Sequence, residues 1–233
     1  MSTSLDNNAN AREAILGRVR AALKKSGSEG KARATAQSYL LSRPIGPQPS
    51  PPKDIVAHFI DRAMHMESTV ECLSARDDIP AAVVRYIDAL ELPAAIAEQK
   101  SHDGVCWPEL ADLDWSGAGL SIEARPTAGD DRLGITGCSC AIAETGTLVF
   151  VSGPDMHTGT TLLPDTHIVV LRASDIVATM EDAFARVRAA RPDLPRAINL
   201  ISGPSRTGDI EQTIVLGAHG PYRVHILVLG VTR

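Results

Sequence analysis

The sequence predicts a layered α/β protein, and three of its features carry that reading. Its apolar content is aliphatic: 44% of the residues are hydrophobic but only 3% are aromatic, so Ala, Val, Ile and Leu must build the core, as in layered α/β domains. Four short apolar runs in the second half, "GTLVFVSG", "HIVVLR", "AINLISG" and "RVHILVLG", read as strands covered on both faces by helices. Between them, "SDIVATMEDAFARVRAA" spaces its apolar residues as a helix does. A three-layer αβα sandwich with a helical N-terminal arm satisfies all three.

The elements follow in order. Over residues 10–25, Ile15, Leu16, Val19, Ala22 and Leu23 share one helical face, with Asn10 suited to cap the start and Gly27 the end. Residues 26–53 turn polar and then proline-rich ("SRPIGPQPSPPK"), which reads as a linker or an arm lying on a partner. The expected division is therefore an arm over 1–53 and an α/β domain over 54–233. A second amphipathic helix spans 54–66, burying Ile55, Val56, Phe59, Ile60 and Ala63, and a short strand covers 70–73. Asp78 as cap and Pro80 in the first turn start a helix that runs to about Leu90. From 93 to 132 the signals weaken to short apolar pieces at 94–97 and 119–122. The helix after "HIVVLR" is expected to open at Ser174 or Asp175 and to turn Ile176, Met180, Ala183, Phe184 and Val187 inward.

Charge and composition exclude several function classes. The net charge is −5, with Lys24, Lys25, Lys31 and Arg33 as the one short basic cluster, so no phosphate-tracking surface for nucleic acid is expected. The N-terminal stretch lacks the apolar core of a signal peptide, and no stretch approaches the roughly 20 apolar residues of a membrane span. A cytoplasmic protein is expected. Cys72, Cys106, Cys138 and Cys140 are too few and too irregularly spaced for a disulfide framework. The C-x-C pair of Cys138 and Cys140 lacks two further ligands at metal-binding spacing, so small core residues are the expected reading and no metal site is.

Two glycine-rich stretches follow apolar runs, where loops at strand ends expose backbone N–H groups. In the first, Thr158, Gly159, Thr160 and Thr161 offer hydroxyls and amides to an anion, a plain connecting loop being the alternative. In the second, Ser202, Gly203, Ser205, Arg206 and Thr207 are suited to a carboxylate or phosphate, with Arg206 as a two-pronged clamp. Asp209 and Glu211 follow closely, so a salt bridge that merely neutralises Arg206 competes with that role. Glu144 interrupts a segment that otherwise looks buried. Unpaired burial would raise its pKa toward that of a general base, whereas capping of a tight turn needs no chemistry; both stay open. His167 begins a strand and is suited to orienting a loop, while His219, between glycines, is better placed for proton transfer. No dinucleotide, P-loop, zinc-protease or serine-hydrolase signature occurs.

Three ordered blocks, "GITGCSCAIAETGTLVFVSGP", "TTLLPDTHIVVL" and "LISGPSRTGDIEQTIVLGAHGP", closely resemble the lactate-utilisation (LUD) domain family over about residues 132–230. Before that the similarity is one of character only. The resemblance implies a fold related to CoA transferases, ribose-phosphate isomerase and glucosamine-phosphate deaminase. It also implies a part in oxidising L-lactate to pyruvate beside two partner proteins that carry iron–sulfur clusters. No cofactor would then be bound by this chain. Carried over by residue, the family pattern marks Glu144, Thr145 and Gly146, then His167, then Ser202, Gly203, Pro204, Ser205, Thr207, Asp209, Glu211, His219 and Gly220. Gly208 stands where related sequences more often have alanine.

The expectation is a subunit of an L-lactate dehydrogenase complex with a small anion held between the Glu144 and Arg206 loops. Arg206 and its neighbours would bind the ligand, and Glu144 or His219 would move a proton. Two alternatives stay open: a non-catalytic assembly factor that docks the iron–sulfur subunits through its arm, and a CoA- or sugar-phosphate-handling enzyme suggested by fold kinship alone.

Overall fold

The computed structural model describes residues 3–23, 29–44, 46–92, 94, 97, 100–191, 193–210, 213–217 and 219–231, with the backbone alone for 3–9, 29, 208–210 and 213–216. Its contacts divide the chain into two units, Met1–Pro49 and Ser50–Arg233.

The first unit holds α1 (Thr3–Ala22) and α2 (Glu29–Ser42). The polar stretch expected to be linker is thus partly helical. "KARATAQSYLL" is rich in residues of high helix propensity, and the first proline comes only at Pro44, after the helix has ended. Ile15 and Val19 on α1, Leu23 directly after it, and Tyr39, Leu40 and Leu41 on α2 are all exposed.

The second unit opens with α3 (Ile55–His65), whose start is capped by Asp54 accepting the Ala57 N–H at 2.9 Å. Phe59 and Ala63 are fully buried, and Ile55, Val56 and Ile60 pack around them. The helix ends in a Schellman motif: the Glu67 N–H donates to Met64 O at 2.9 Å and the Ser68 N–H to Ala63 O at 3.0 Å. Glu67 takes the left-handed position (φ 66°) that glycine usually fills. Then come β1 (Thr69–Leu73) and α4 (Ile79–Asp88), the latter with Pro80 in its first turn as expected. Asp78 precedes α4, but its carboxylate accepts the Ala75 N–H at 3.2 Å and closes the preceding turn instead. The weakly marked middle contains β2 (Asp103–Cys106) and β3 (Ser121–Ala124), with Trp107 and Trp115 buried between them in the chain.

The remaining elements are β4 (Leu133–Thr136), β5 (Cys140–Ile142), β6 (Thr147–Val151), α5 (Thr158–Leu162), β7 (Thr166–Arg172), β8 (Ile176–Val177), α6 (Met180–Ala189), β9 (Ile198–Ile201), β10 (Arg206–Ile210), β11 (Thr213–Leu216) and β12 (Arg223–Leu229). Six strands form a parallel sheet in the order β1-β12-β7-β4-β2-β3. A second sheet has the order β8-β5-β6-β9, and β10 pairs with β11 in a separate antiparallel ribbon.

The strands of the parallel sheet turn alternate residues to two cores, as the two-residue period of a strand requires. Ile168 and Leu227 join α4, Leu110, Leu113 and Trp115 on one face. Val169, Leu171, Val224, Ile226 and Val228 meet α3, Leu148 and Phe150 on the other. Beyond the second sheet, α6 buries Ala183 and Val187 against Cys140, Ile142, Val149 and Val151. The result is the expected α/β fold with a central parallel sheet flanked by helices.

Two strands read as members of that sheet lie elsewhere. β6 and β9 pair with each other antiparallel, Leu148 opposite Ile201, in the second sheet. Only residues 143–146 separate β5 from β6, and so short a turn permits a hairpin but not a parallel crossover. The helix expected from Ser174 or Asp175 begins at Met180. A capping box of Thr179 and Asp182 starts it, while Ile176 is drawn into β8 beside Ala141. Met180, expected inward, is exposed.

Candidate functional site

The parallel sheet directs all its carboxyl ends to one side, where ligands collect in open α/β folds. There the chain leaves β1 toward Arg76, β2 toward Trp107 and Glu109, and β4 toward Gly137 and Cys138, while β7 ends on Arg172 and β12 on Leu229. A cavity of about 290 Å³ is lined by Arg76, Glu109, Gly137, Cys138, Arg172 and Asp175, floored by Leu110, Val170 and Leu229. A second cavity of about 280 Å³ shares Glu109, Cys138, Arg172 and Asp175 with the first. The two are lobes of one cleft.

Guanidinium groups dominate its polar chemistry. Asp175, buried, accepts Arg172 Nε at 2.9 Å on one oxygen and Arg186 Nη2 on the other. The hydrogen bond to Asp175 raises the Arg172 pKa, and the negative field of Glu109 adds to it. Arg76 grips Asp112 with both terminal nitrogens at 2.8 and 2.6 Å and donates to the Glu109 carbonyl at 2.7 Å. Arg191 differs. Its Nη1 donates to the Ser152 carbonyl at 3.0 Å and its Nη2 lies 4.0 Å from the Met156 sulfur, and it has no carboxylate partner among the described residues. Arg191 thus lines the cleft in no ion pair among the described residues.

Burial pushes the Cys138 thiol well up, with the fields of Cys140 and Asp175 adding to it, and burial also raises Cys140. Both are neutral thiols near neutral pH, weak as nucleophiles and as metal ligands. Among the described residues no three His, Cys, Asp or Glu side chains are placed to hold a metal ion.

The residues singled out from sequence occupy other places. Glu144 lies in the β5–β6 turn, half-buried, and its N–H donates to Ala178 O at 3.1 Å. Two threonines just after it join the two distant blocks: Thr145 Oγ1 lies 2.6 Å from Thr147 Oγ1, which lies 2.7 Å from Ser202 Oγ. Gly146 (φ 67°) and Gly203 (φ 80°) press on the end of α3, where an added Cβ would stand 2.5 Å from Ala63 N and 1.9 Å from Met66 O respectively. Only glycine fits both the backbone conformation and the gap. The blocks therefore converge, but on α3. Arg206 pairs with Glu67 at 2.6 Å, the neutralising salt bridge that competed with its clamp role, made with a different acid. Glu211 and the Asp209 side chain lie outside the described residues.

Ser202, Gly203, Pro204, Ser205, His219 and Gly220 do line a shallow hollow of about 250 Å³, walled by Leu162 and Pro221. Neither Glu144 nor Arg206 lines it. Thr207 is buried. His167 is fully buried in the sheet, its Nε2 2.8 Å from Thr136 Oγ1 and its ring 5.5 Å from that of Phe150. Burial lowers its pKa to about 3, so it is a neutral structural imidazole rather than a loop-orienting one. The "TGTTL" stretch is the short α5, with Thr160 and Thr161 buried and the Thr161 hydroxyl donating to Thr158 O at 2.8 Å.

Glu109, Arg172, Asp175, Arg186 and Arg191, which line the cleft, lie outside the glycine-rich stretches that mark candidate loops in the sequence. The signal that could have found Arg172 and Asp175 was their place directly after "HIVVL", at the mouth of a central strand.

Comparison with known proteins agrees with this architecture. A DUF162 family protein from Deinococcus radiodurans, solved at 1.70 Å, superposes with a TM-score of 0.56 at 23% identity, covering 78% of this chain and 100% of that one. Lactate utilization protein C of Deinococcus radiodurans is 33% identical over 157 residues, 64% of this chain and 74% of that protein. The protein of the same name from Bacillus subtilis is 36% identical over 127 residues, 52% of this chain and 53% of that protein. The LUD domain pattern matches residues 103–229, which include β2 through β12 and most of the cleft. On that match and these identities, the chain belongs to the LUD domain family.

Proposed function

We propose that this chain serves L-lactate utilisation as one subunit of a multi-protein system, holding a small carboxylate or phosphate-bearing ligand while iron–sulfur partner proteins carry the electrons. The lactate assignment rests on the names of its relatives. The ligand assignment rests on one observation: three guanidinium groups, of Arg172, Arg186 and Arg191, face a cleft at the strand carboxyl ends, and Arg191 forms no ion pair among the described residues. In this reading the chain binds and orients the acid, with Arg191 and the open side of Arg172 as anion donors. The hollow of Ser202, Ser205 and His219, with Glu144 and Arg206 nearby in sequence blocks of the family, is the competing location.

Thermal-shift titration with L-lactate, pyruvate and inorganic phosphate tests it. Stabilisation by at least one of these anions should be lost in Arg191→Gln and Arg172→Ala and kept in His219→Ala. Loss confined to His219→Ala would move the ligand to the hollow, and robust lactate oxidation by the purified chain alone would overturn the division of labour.

A second reading, a non-catalytic assembly factor, is favoured by the exposed Ile15, Val19, Leu23, Tyr39, Leu40 and Leu41 of the N-terminal unit. Deleting residues 1–52 should then abolish co-purification with the iron–sulfur subunits while anion binding by the remainder persists.

A further inference from the structure

The cleft is larger than a three-carbon acid needs, and its two lobes differ in chemistry. A six-heavy-atom hydroxy acid displaces roughly 100 Å³, about three waters' worth, whereas the second lobe alone encloses about 280 Å³. In the first lobe each arginine already has a carboxylate: Arg76 has Asp112, and Arg172 has Asp175. The second lobe adds apolar walls from Trp107, Val151, Met156 and Val187, together with Arg191.

These features act together. Trp107 is 2% exposed, with its indole N–H donating to His157 O at 3.3 Å and its ring edge-on to Phe150, so its orientation is set before any ligand arrives. Arg191 is tethered by a neutral carbonyl and lies beside a thioether, which leaves donors of its guanidinium unspent. Arg191 stands beside these apolar side chains in a lobe whose other charges are Glu109 and Asp175, the latter already bound by Arg172 and Arg186. Three cations thus face two acids, and the balance disfavours a cationic occupant and rewards an anion. Cys138, on the wall between the lobes, is a neutral thiol and adds soft apolar surface there.

We infer that the second lobe binds an amphiphilic carboxylate, its head on Arg191 and an aliphatic body of about four to six carbons against Trp107, Val151, Met156 and Val187. This rests on the cleft being the ligand site and goes further by naming a class of acid longer than lactate. Lactate itself, in this view, leaves the lobe underfilled.

Isothermal titration calorimetry of the full chain with acetate, butanoate, hexanoate and octanoate decides the matter. Affinity should rise about fourfold per added methylene and then level off once the lobe is full. Arg191→Gln should weaken every member at least tenfold. Two filling variants, Ala190→Phe at the rim and Met156→Phe within, should each cut the advantage of hexanoate over butanoate from about fifteenfold to near unity. Either one that keeps the wild-type melting profile suffices.

If all four acids bind alike and still depend on Arg191, the amphiphile is wrong and the cleft stands. If no acid or phosphate binds in an Arg191-dependent way, both fall. A length dependence untouched by all three substitutions places the apolar binding elsewhere and also overturns the inference.

Discussion

His167 and His225 bear most directly on how this protein responds to acid. Both are buried in the parallel sheet, each with one ring nitrogen near a threonine hydroxyl, at 2.8 Å from Thr136 and 2.8 Å from Thr69 respectively. The second nitrogen of each is buried without a partner among the described residues. His225 also stacks on Tyr86 with centroids 4.0 Å apart. Burial holds the folded pKa values to about 3 and about 4, against 6.5 for the free side chain. The unfolded chain therefore binds more protons as pH falls below 6.5, and the folded state loses stability down to about pH 4 through His225 and about pH 3 through His167. Each histidine contributes a slope of up to about 1.4 kcal/mol per pH unit. Urea denaturation between pH 7 and pH 4 should show this loss, and His225→Gln should flatten it.

Gly203 gives a second prediction. Gly203→Ala forces a side chain onto the Met66 carbonyl in a left-handed backbone, and should cost more than about 2 kcal/mol in the same assay. Its glycine identity was legible in the sequence, but its reason, the end of α3, was not.

Helix and strand limits follow local chemistry where one signal dominates and tertiary pairing where two compete. Asp54 and the Ile55, Phe59, Ala63 spacing mark α3 without a rival. After β7 a start at Ser174 or Asp175 was expected, but the helix begins behind Thr179, which forms a capping box with Asp182 three residues later. Ile176 and Val177 gain ladder bonds beside β5, and Asp175 is claimed by two arginines. Thr179→Ala removes the side-chain acceptor for the Asp182 N–H, at 3.2 Å, and should destabilise the chain by about 1 kcal/mol, measurable as a lowered urea midpoint with an unchanged denaturant slope. The antiparallel placement of β6 and β9 has a similar origin. Their apolar runs resemble those of β7 and β12, although β6 is buried along its length and β9 only partly, and periodicity cannot tell one sheet from the other.

Across the molecule, charge is unevenly divided. Residues 1–49 carry eight lysines and arginines against three acids, although the chain as a whole is at −5. Among the described residues of the α/β unit seven acids pair with arginines, and Asp175 is the one shared by two of them at the cleft. Asp175→Asn should cost about 1–2 kcal/mol, because both guanidiniums keep water on their open sides. The same change should tighten phosphate binding severalfold, since two cations in the cleft lose their internal counterion. Chemical denaturation and calorimetry on one preparation would check both signs. No helix among the described residues is long and apolar enough to cross a membrane.

Composition and local pattern were enough to establish the α/β class, the helices α3 and α4, the strands of the second half and, through three motif blocks, the family. These depend on neighbours within a few turns or residues, which a linear text preserves. The location of the cleft does not. Its polar groups come from positions 76, 109, 138, 172–175 and 186–191, which are separate stretches of the chain with no common period. What unites them is that parallel strands send every carboxyl end to one side of the sheet, and strand order is settled by long-range packing. The same packing buried His167, gave Arg206 to Glu67 and left Arg191 without a carboxylate among the described residues, because the free energy of a charged or polar side chain is decided by what the fold places around it.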